Sequence, residues 1–146
     1  MTLRTKFLAA AVVIAGVAAC KPASTVGSPG TTAAPAAAKA PARPAGVTDS
    51  SIAEGKTLFE AATSNCTRCH GADGTGGTRG PNLMDSVWVH SNGMPAGIAH
   101  TITEGVSKDS IKGNYAFPMA PKGRANITDA QVNAIASYLW SASHKR

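Results

Sequence analysis

Cysteine is scarce in this sequence and long apolar runs are absent. Three cysteines among 146 residues are too few for the disulfide framework that holds many small exported domains together. The longest apolar run covers residues 7–19, which is well short of the roughly 20 residues that a membrane-spanning helix needs. A chain of this length allows one domain of ordinary size. A disulfide-stapled module and a membrane-spanning protein are therefore excluded.

A strong excess of positive charge is also missing from the part of the chain that can fold. The whole sequence carries a net charge of +6, but five basic residues and one acidic residue precede residue 50. Nine basic and seven acidic residues follow, which leaves residues 50–146 at only +2. The near-neutral charge argues against nucleic acid as a partner, and so does the export signal described next.

The first 19 residues have the features of an export signal. Arg4 and Lys6 precede the apolar run, and the run ends in Val-Ala-Ala-Cys20. This ending resembles a bacterial lipoprotein signal, in which the cysteine becomes the first residue and carries lipid chains. We therefore expect a lipoprotein signal peptide over residues 1–19 and lipidation of Cys20. The alternative is an ordinary secretory signal that leaves Cys20 as a free thiol.

Residues 20–49 have the composition of a flexible tether. Ala, Pro, Gly, Ser and Thr dominate, and neither aromatic residues nor apolar periodicity are found there. Ala-Pro pairs favour extended backbone, with a span between about 30 and about 90 Å. We expect a lipid-anchored tether that lets the following domain move between partners. A neutral spacer is the alternative.

The sequence Cys66-Thr67-Arg68-Cys69-His70 reads as a c-type haem attachment site. Two cysteines on one face of a helical turn can form thioethers with both vinyl groups of one porphyrin, and His70 can then bind the iron. A thiol redox centre is one alternative, although such a centre normally follows a strand. A zinc site is another, although it needs further Cys or His ligands at suitable spacing.

Residues 50–146 resemble a single-haem cytochrome c domain of the small class I type. The resemblance implies an all-α fold with three to five short helices wrapped around one covalently bound haem c. It also implies that the first and last helices cross, and Gly55 with Phe59 resembles the family's pattern at that crossing.

Helix signals support this reading. Ser51-x-x-Glu54 predicts a capping box for a first helix beginning at Ser50 or Ser51. A short helix is expected over Ile98–Glu104 with Gly105 as its cap, and a last helix over Asp129–Ser141. Thr128-x-x-Gln131 predicts a second capping box, at the start of that last helix.

Other haem-pocket residues follow from the resemblance. Gly80-Pro81-Asn82-Leu83 matches a recurring cytochrome c segment, in which the Pro81 carbonyl accepts the Nδ1 proton of His70. Arg79 is either a partner for a haem propionate or a solvated charge. Trp88 is either a propionate partner or a packing residue of the core.

Six side chains are candidates for the sixth iron ligand. They are Met84, Met94, Met119, His90, His100 and His144. Met119 lies between Pro118 and Pro121 in a long non-periodic segment that looks like the methionine loop of cytochromes c. We predict Met119 as the distal ligand by that resemblance. Met94 is the runner-up, because Pro95 places it at a helix start.

With both axial positions filled, the resemblance implies an electron-transfer protein and not an enzyme. We expect a one-electron carrier, lipid-held on the outer, periplasmic side of the cytoplasmic membrane. Its partners would be redox proteins, namely an oxidase, a dehydrogenase or another cytochrome. The alternative is a haem-based sensor or peroxidase-like enzyme with a labile sixth ligand, for which His100 is the acid–base candidate. A thiol oxidoreductase is the third hypothesis.

Overall fold

The computed structural model describes residues 42–145, which form a small all-α domain without β-strands in that range. The expected signal peptide, Cys20 and most of the tether lie outside the described residues. The α-helices are α1 (Asp49–Glu60), α2 (Cys66–His70), α3 (Pro95–Glu104) and α4 (Asp129–Ser143). Short 3₁₀ turns lie at Ala62–Ser64, Lys108–Ser110 and Pro121–Arg124. The predicted all-α fold class is confirmed. Within residues 42–145, each helix is too short or too polar to cross a membrane.

Helices α1 and α4 cross in close contact at Gly55. A Cβ atom at residue 55 would overlap the carbonyl oxygen of Ala134 and lie 2.9 Å from the Cβ of Tyr138. Phe59, one turn further along α1, is buried, and its ring centroid lies 5.7 Å from that of Tyr138. The predicted crossing is confirmed. Glycine is required there because any side chain would push the two backbones apart.

The start of α1 differs from the expected one. Thr48 is the N-cap, and its hydroxyl accepts from the Ser51 amide at 3.0 Å while the Ser51 hydroxyl accepts from the Thr48 amide at 2.9 Å. The capping box therefore lies three residues before the predicted Ser51/Glu54 pair. Val47 is buried in the core, so packed structure begins before residue 50.

The other two long helices have the expected cap signals, but α3 begins before the expected Ile98 and α4 ends after the expected Ser141. Pro95 begins α3, and Gly105 ends it with a φ of 74°. The Thr128/Gln131 capping box is formed at α4, which continues to Ser143. Inward-facing side chains of α1, α3 and α4 make the core, together with Val47. These are Phe59, Ile98, Ile102, Val132, Ile135, Ala136, Leu139 and Trp140.

Candidate functional site

Helix α2 contains the whole Cys-x-x-Cys-His sequence, in about one and a half helical turns. It begins after Asn65, whose φ is 60°, and ends at Gly71, whose φ is 81°. Cys66 and Cys69 are half-buried, and neither forms a disulfide within the described chain. The Cys66 thiol faces the Ser64 carbonyl at 3.6 Å, and its burial raises its pKa. Both thiols are therefore free within the described chain, as thioether formation requires.

His70 is held at the end of α2 by one hydrogen bond. Its imidazole is buried, and Nδ1 lies 2.9 Å from the carbonyl oxygen of Pro81. Since a carbonyl can only accept, Nδ1 must carry the proton and Nε2 keeps its lone pair. Burial lowers the pKa of His70, although the bond to Pro81 acts in the opposite direction. The neutral imidazole that results is the form that binds metal ions.

The glycine-rich loop after α2 folds back to bring Pro81 to His70. The Gly76 amide donates to the His70 carbonyl at 2.7 Å, and the Leu83 amide donates to the Gly74 carbonyl at 2.9 Å. Gly76 has a φ of 81°, and a Cβ there would lie 2.5 Å from the backbone nitrogen of Asn82. Glycine is therefore required for the backbone segments to pass this closely.

A cavity of about 650 Å³ opens beside His70, within the size range of ligand pockets. Core side chains of α1, α3 and α4 form its floor. Met119 lines its wall, together with five residues that were predicted for the haem pocket or for thioether attachment. They are Cys66, Cys69, Arg79, Pro81 and Trp88. The fold thus brings all these positions to one cavity.

Trp88 and Arg79 contribute two polar groups to the wall. The Trp88 ring packs against the core, yet its Nε1–H is buried and nothing in the described part of the chain accepts from it. The Arg79 guanidinium lies 5.4 Å from the centre of the Phe117 ring. A buried donor without an acceptor costs free energy unless a bound group supplies one. This orphaned donor, beside an apolar cavity with an imidazole and two thiols, fits a haem with its carboxylates.

Met119 is fixed at the cavity by backbone pairing with the end of α3. Its amide donates to the Val106 carbonyl at 3.0 Å, and the Val106 amide donates to the Met119 carbonyl at 2.7 Å. A Cβ at Gly105 would overlap the Met119 carbonyl oxygen, so the two segments touch. The half-buried Met119 side chain packs against the core cluster.

The remaining candidates for the sixth ligand occupy different places. Met94 is the N-cap of α3 and is 45% exposed, outside the cavity wall. His100 is exposed on α3, and Nδ1 of His144 contacts the Trp140 carbonyl at 2.8 Å. Met84 packs beside Gly74 and also lies outside the wall.

His90 is the exception, because it lines the cavity. Its Nε2 accepts from the Lys112 amide at 3.4 Å, and its carbonyl accepts from Thr101 at 2.8 Å. His90 is therefore the second of the six candidates, besides Met119, that the fold brings to the cavity. His90 and Lys112 are 22 residues apart in the sequence, so their contact leaves no periodic signal there.

The positions of the possible metal ligands also argue against the zinc site that was considered as an alternative. Among residues 42–145, no three His, Cys, Asp or Glu side chains come together as a metal-binding group. A structural zinc ion requires four such ligands. The helices and the cavity instead define a small all-α protein built around one covalently attached haem.

Comparison with known families gives the same class. The family described as Cytochrome c matches residues 52–143, and the chain belongs to that family. Membership of this family confirms the predicted haem c and the predicted role as a haem electron carrier.

Several curated relatives are subunits of a cytochrome c oxidase. The Cbb3-type cytochrome c oxidase subunit CcoP of Cereibacter sphaeroides is 37% identical over 90 residues, which cover 60% of this chain and 26% of that protein. CcoP of Rubrivivax gelatinosus is 34% identical, covering 63% and 26%. FixP of Azorhizobium caulinodans is 35% identical, covering 62% and 29%. The chain thus spans less than a third of their length.

A solved structure with some likeness is cytochrome cL from the marine methylotrophic bacterium Methylophaga aminisulfidivorans MPT. It is 25% identical in sequence and gives a TM-score of 0.48, with coverage of 65% of this chain and 57% of that one.

Proposed function

We propose that this protein is a membrane-tethered, one-electron carrier with His70 and Met119 as its axial iron ligands and Cys66 and Cys69 as its thioether attachments. The observation that carries the proposal is the meeting of both axial side chains at one cavity. His70 reaches it from α2, and Met119 reaches it from the segment paired with Val106.

The His70 side is prepared for binding iron before any ligand arrives. The Pro81 carbonyl fixes the tautomer, so Nε2 is the free nitrogen. Burial keeps the ring neutral, and the glycine loop fixes its orientation. Little reorganisation of this side is then needed when an electron is gained or lost.

Met119 supplies a neutral, polarisable sulfur from the other segment of the wall. A haem with histidine and methionine ligands has a raised reduction potential and no free position for substrate. The apolar floor excludes water and further favours the reduced state. Electron transfer without bond-making is the activity that these residues support.

The docking face would be the mouth of the cavity. Phe117 and Val87 are exposed there, at 54% and 67%. Cationic side chains at the cavity outnumber the single acidic one, Glu104. They are Arg68, Arg79, Lys108, Lys122 and Arg124. A redox protein with a negatively charged surface would fit this face.

We infer that an oxidase is the first partner to test, with a dehydrogenase or another cytochrome as the others. The likeness to oxidase subunits supports this order. The lipid on Cys20 and the tether of residues 20–49 would hold the domain on the periplasmic face of the membrane. Metabolic labelling with a fatty acid, compared with Cys20→Ser, tests the anchor.

Absorption spectra of the matured holoprotein test the iron ligands. We expect the weak far-red band of ferric haem with methionine ligation, and no carbon monoxide binding to the native ferrous protein. The second candidate, a haem sensor or peroxidase-like enzyme, is favoured by one observation: His90 lines the cavity and could act as an acid–base group. Ready carbon monoxide binding and no far-red band would favour that candidate.

A further inference from the structure

The turn that follows Met119 has an unusual backbone. Lys122, Gly123 and Arg124 have φ values of 51°, 61° and 63°, which place three successive residues in the left-handed region. Two of the three carry side chains, and such residues rarely adopt this conformation. A turn of this kind persists only where neighbouring structure holds it.

The Lys122 side chain provides that support. Its Nζ donates to the Ile127 carbonyl at 3.0 Å and to the Asp129 carboxylate at 2.7 Å. The lysine side chain is only 27% exposed, so the ammonium is partly shielded from water, whereas the Asp129 carboxylate is exposed. Asp129 is the first residue of α4, which packs on the core. The ammonium therefore ties the turn to the rigid part of the domain.

Two anchors hold the Met119 segment. Met119 itself pairs with Val106, just after α3, through its amide and its carbonyl, and the turn after it is tied to α4 through Lys122. The turn itself lines the cavity wall. Loss of the second anchor would let the turn relax toward commoner backbone angles and would move residues 120–124. Met119 would then keep its pairing with Val106 but lose the support of a fixed turn behind it.

We propose that Lys122 is a positioning residue that keeps the Met119 sulfur on the iron. This inference rests on the proposed function, in which Met119 is the distal ligand. The ammonium acts through hydrogen bonds to α4 and does not itself reach the iron.

The test is the rate at which cyanide replaces methionine in the ferric holoprotein, because cyanide binds only when the Met119 segment opens. Lys122→Met keeps the length of the side chain and removes both hydrogen bonds. We expect it to raise the cyanide binding rate about tenfold, as for loss of a charge-assisted hydrogen bond. Lys122→Arg should restore most of the original rate, and Asp129→Asn, a milder change, should give an intermediate one.

Lys56→Met is the matched control. Lys56 also forms an ion pair, with Glu60 at 2.5 Å, but it lies on α1 away from the cavity. Its replacement should leave the cyanide rate unchanged. Unfolding of each variant, followed by far-UV circular dichroism, separates a local effect from general destabilisation.

Equal cyanide rates in Lys122→Met and Lys56→Met would overturn the inference. So would a rate increase that merely follows the loss of global stability. Absence of the far-red band from the unmodified holoprotein would overturn the proposed function and this inference together. A normal band with no effect of Lys122→Met would overturn this inference alone.

Discussion

The two segments that flank the cavity are held in different ways. The proximal segment (residues 66–83) is cross-linked by short-range hydrogen bonds, among them Gly76 to His70 at 2.7 Å and His70 to Pro81 at 2.9 Å. The distal segment (residues 105–127) is held by contacts with distant parts of the chain. The Ala116 amide donates to the Thr78 carbonyl at 3.0 Å and the Lys112 amide donates to Nε2 of His90 at 3.4 Å, in addition to the pairing of Val106 with Met119 inside the segment. The proximal segment is locally determined, whereas the distal one depends on the packed domain.

The largest expected effect is removal of the covalent attachment in the proximal segment. Replacing both Cys66 and Cys69 by serine should abolish covalent haem completely, since neither thioether can form. Mass spectrometry of matured protein measures the added mass. The single variants should retain some haem through one thioether. Covalent haem in the double variant would contradict the proposed attachment.

The next effect separates the distal ligand from its runner-up. Met119→Ala should remove the far-red band and allow stoichiometric carbon monoxide binding, while covalent haem content stays unchanged. Met94→Ala is the matched control, because Met94 is exposed and outside the cavity wall. The opposite result, with the band lost only in Met94→Ala, would exchange the two assignments.

Glycine substitutions compare the stiffness of the two segments. Gly76→Ala should destabilise the protein by about 3 kcal/mol, since φ is 81° and the new Cβ meets the Asn82 backbone nitrogen at 2.5 Å. Gly113→Ala should cost only about 1 kcal/mol, from its positive φ. Its Cβ would meet a movable Tyr115 ring at 2.9 Å. Urea unfolding measures both, and equal losses would contradict the difference between the segments.

The smallest expected effect is on the pH dependence of stability, through the contact of His90 with the distal segment. Burial, with a further contribution from the charge of Lys112, lowers the pKa of His90. The unfolded chain therefore takes up its proton at higher pH, near the ordinary histidine pKa of about 6.5. The stability from neutral His90 is present above that pH and decreases as pH falls through the lower pKa of the folded state.

Protonation of Nε2 would also break the bond from the Lys112 amide, because the nitrogen would become a donor. Urea unfolding of the holoprotein at a series of pH values measures the effect. His90→Gln should flatten the curve in this range. An unchanged curve in that variant would show that His90 does not contribute to it.

Much of the fold could be predicted because its signals are local. The Thr128/Gln131 box, the Pro95 start and the Gly105 stop each depend on residues within one helical turn. Gly55 indicated the helix crossing through its resemblance to a known pattern. The start of α1 was misplaced because Thr48 and Ser51 both suit an N-cap, and burial of Val47 decides between them.

The site, like the fold, could be predicted where its signals are local. The bond between His70 and Pro81 followed from a short recurring segment, and the structure contains it. The contact of His90 with Lys112 and the tie from Lys122 to α4 were missed. Each depends on pairs of residues that become neighbours only after the helices have packed.

The sequence by itself determined the haem attachment chemistry, since two thiols and an imidazole within five residues need only one turn of helix to converge. It also determined the helices, through caps and apolar spacing. Only the tertiary structure decided which candidate side chains reach the cavity. That outcome depends on chain segments far apart in sequence, whose positions are fixed by packing against a shared core and by hydrogen bonds that no local pattern encodes.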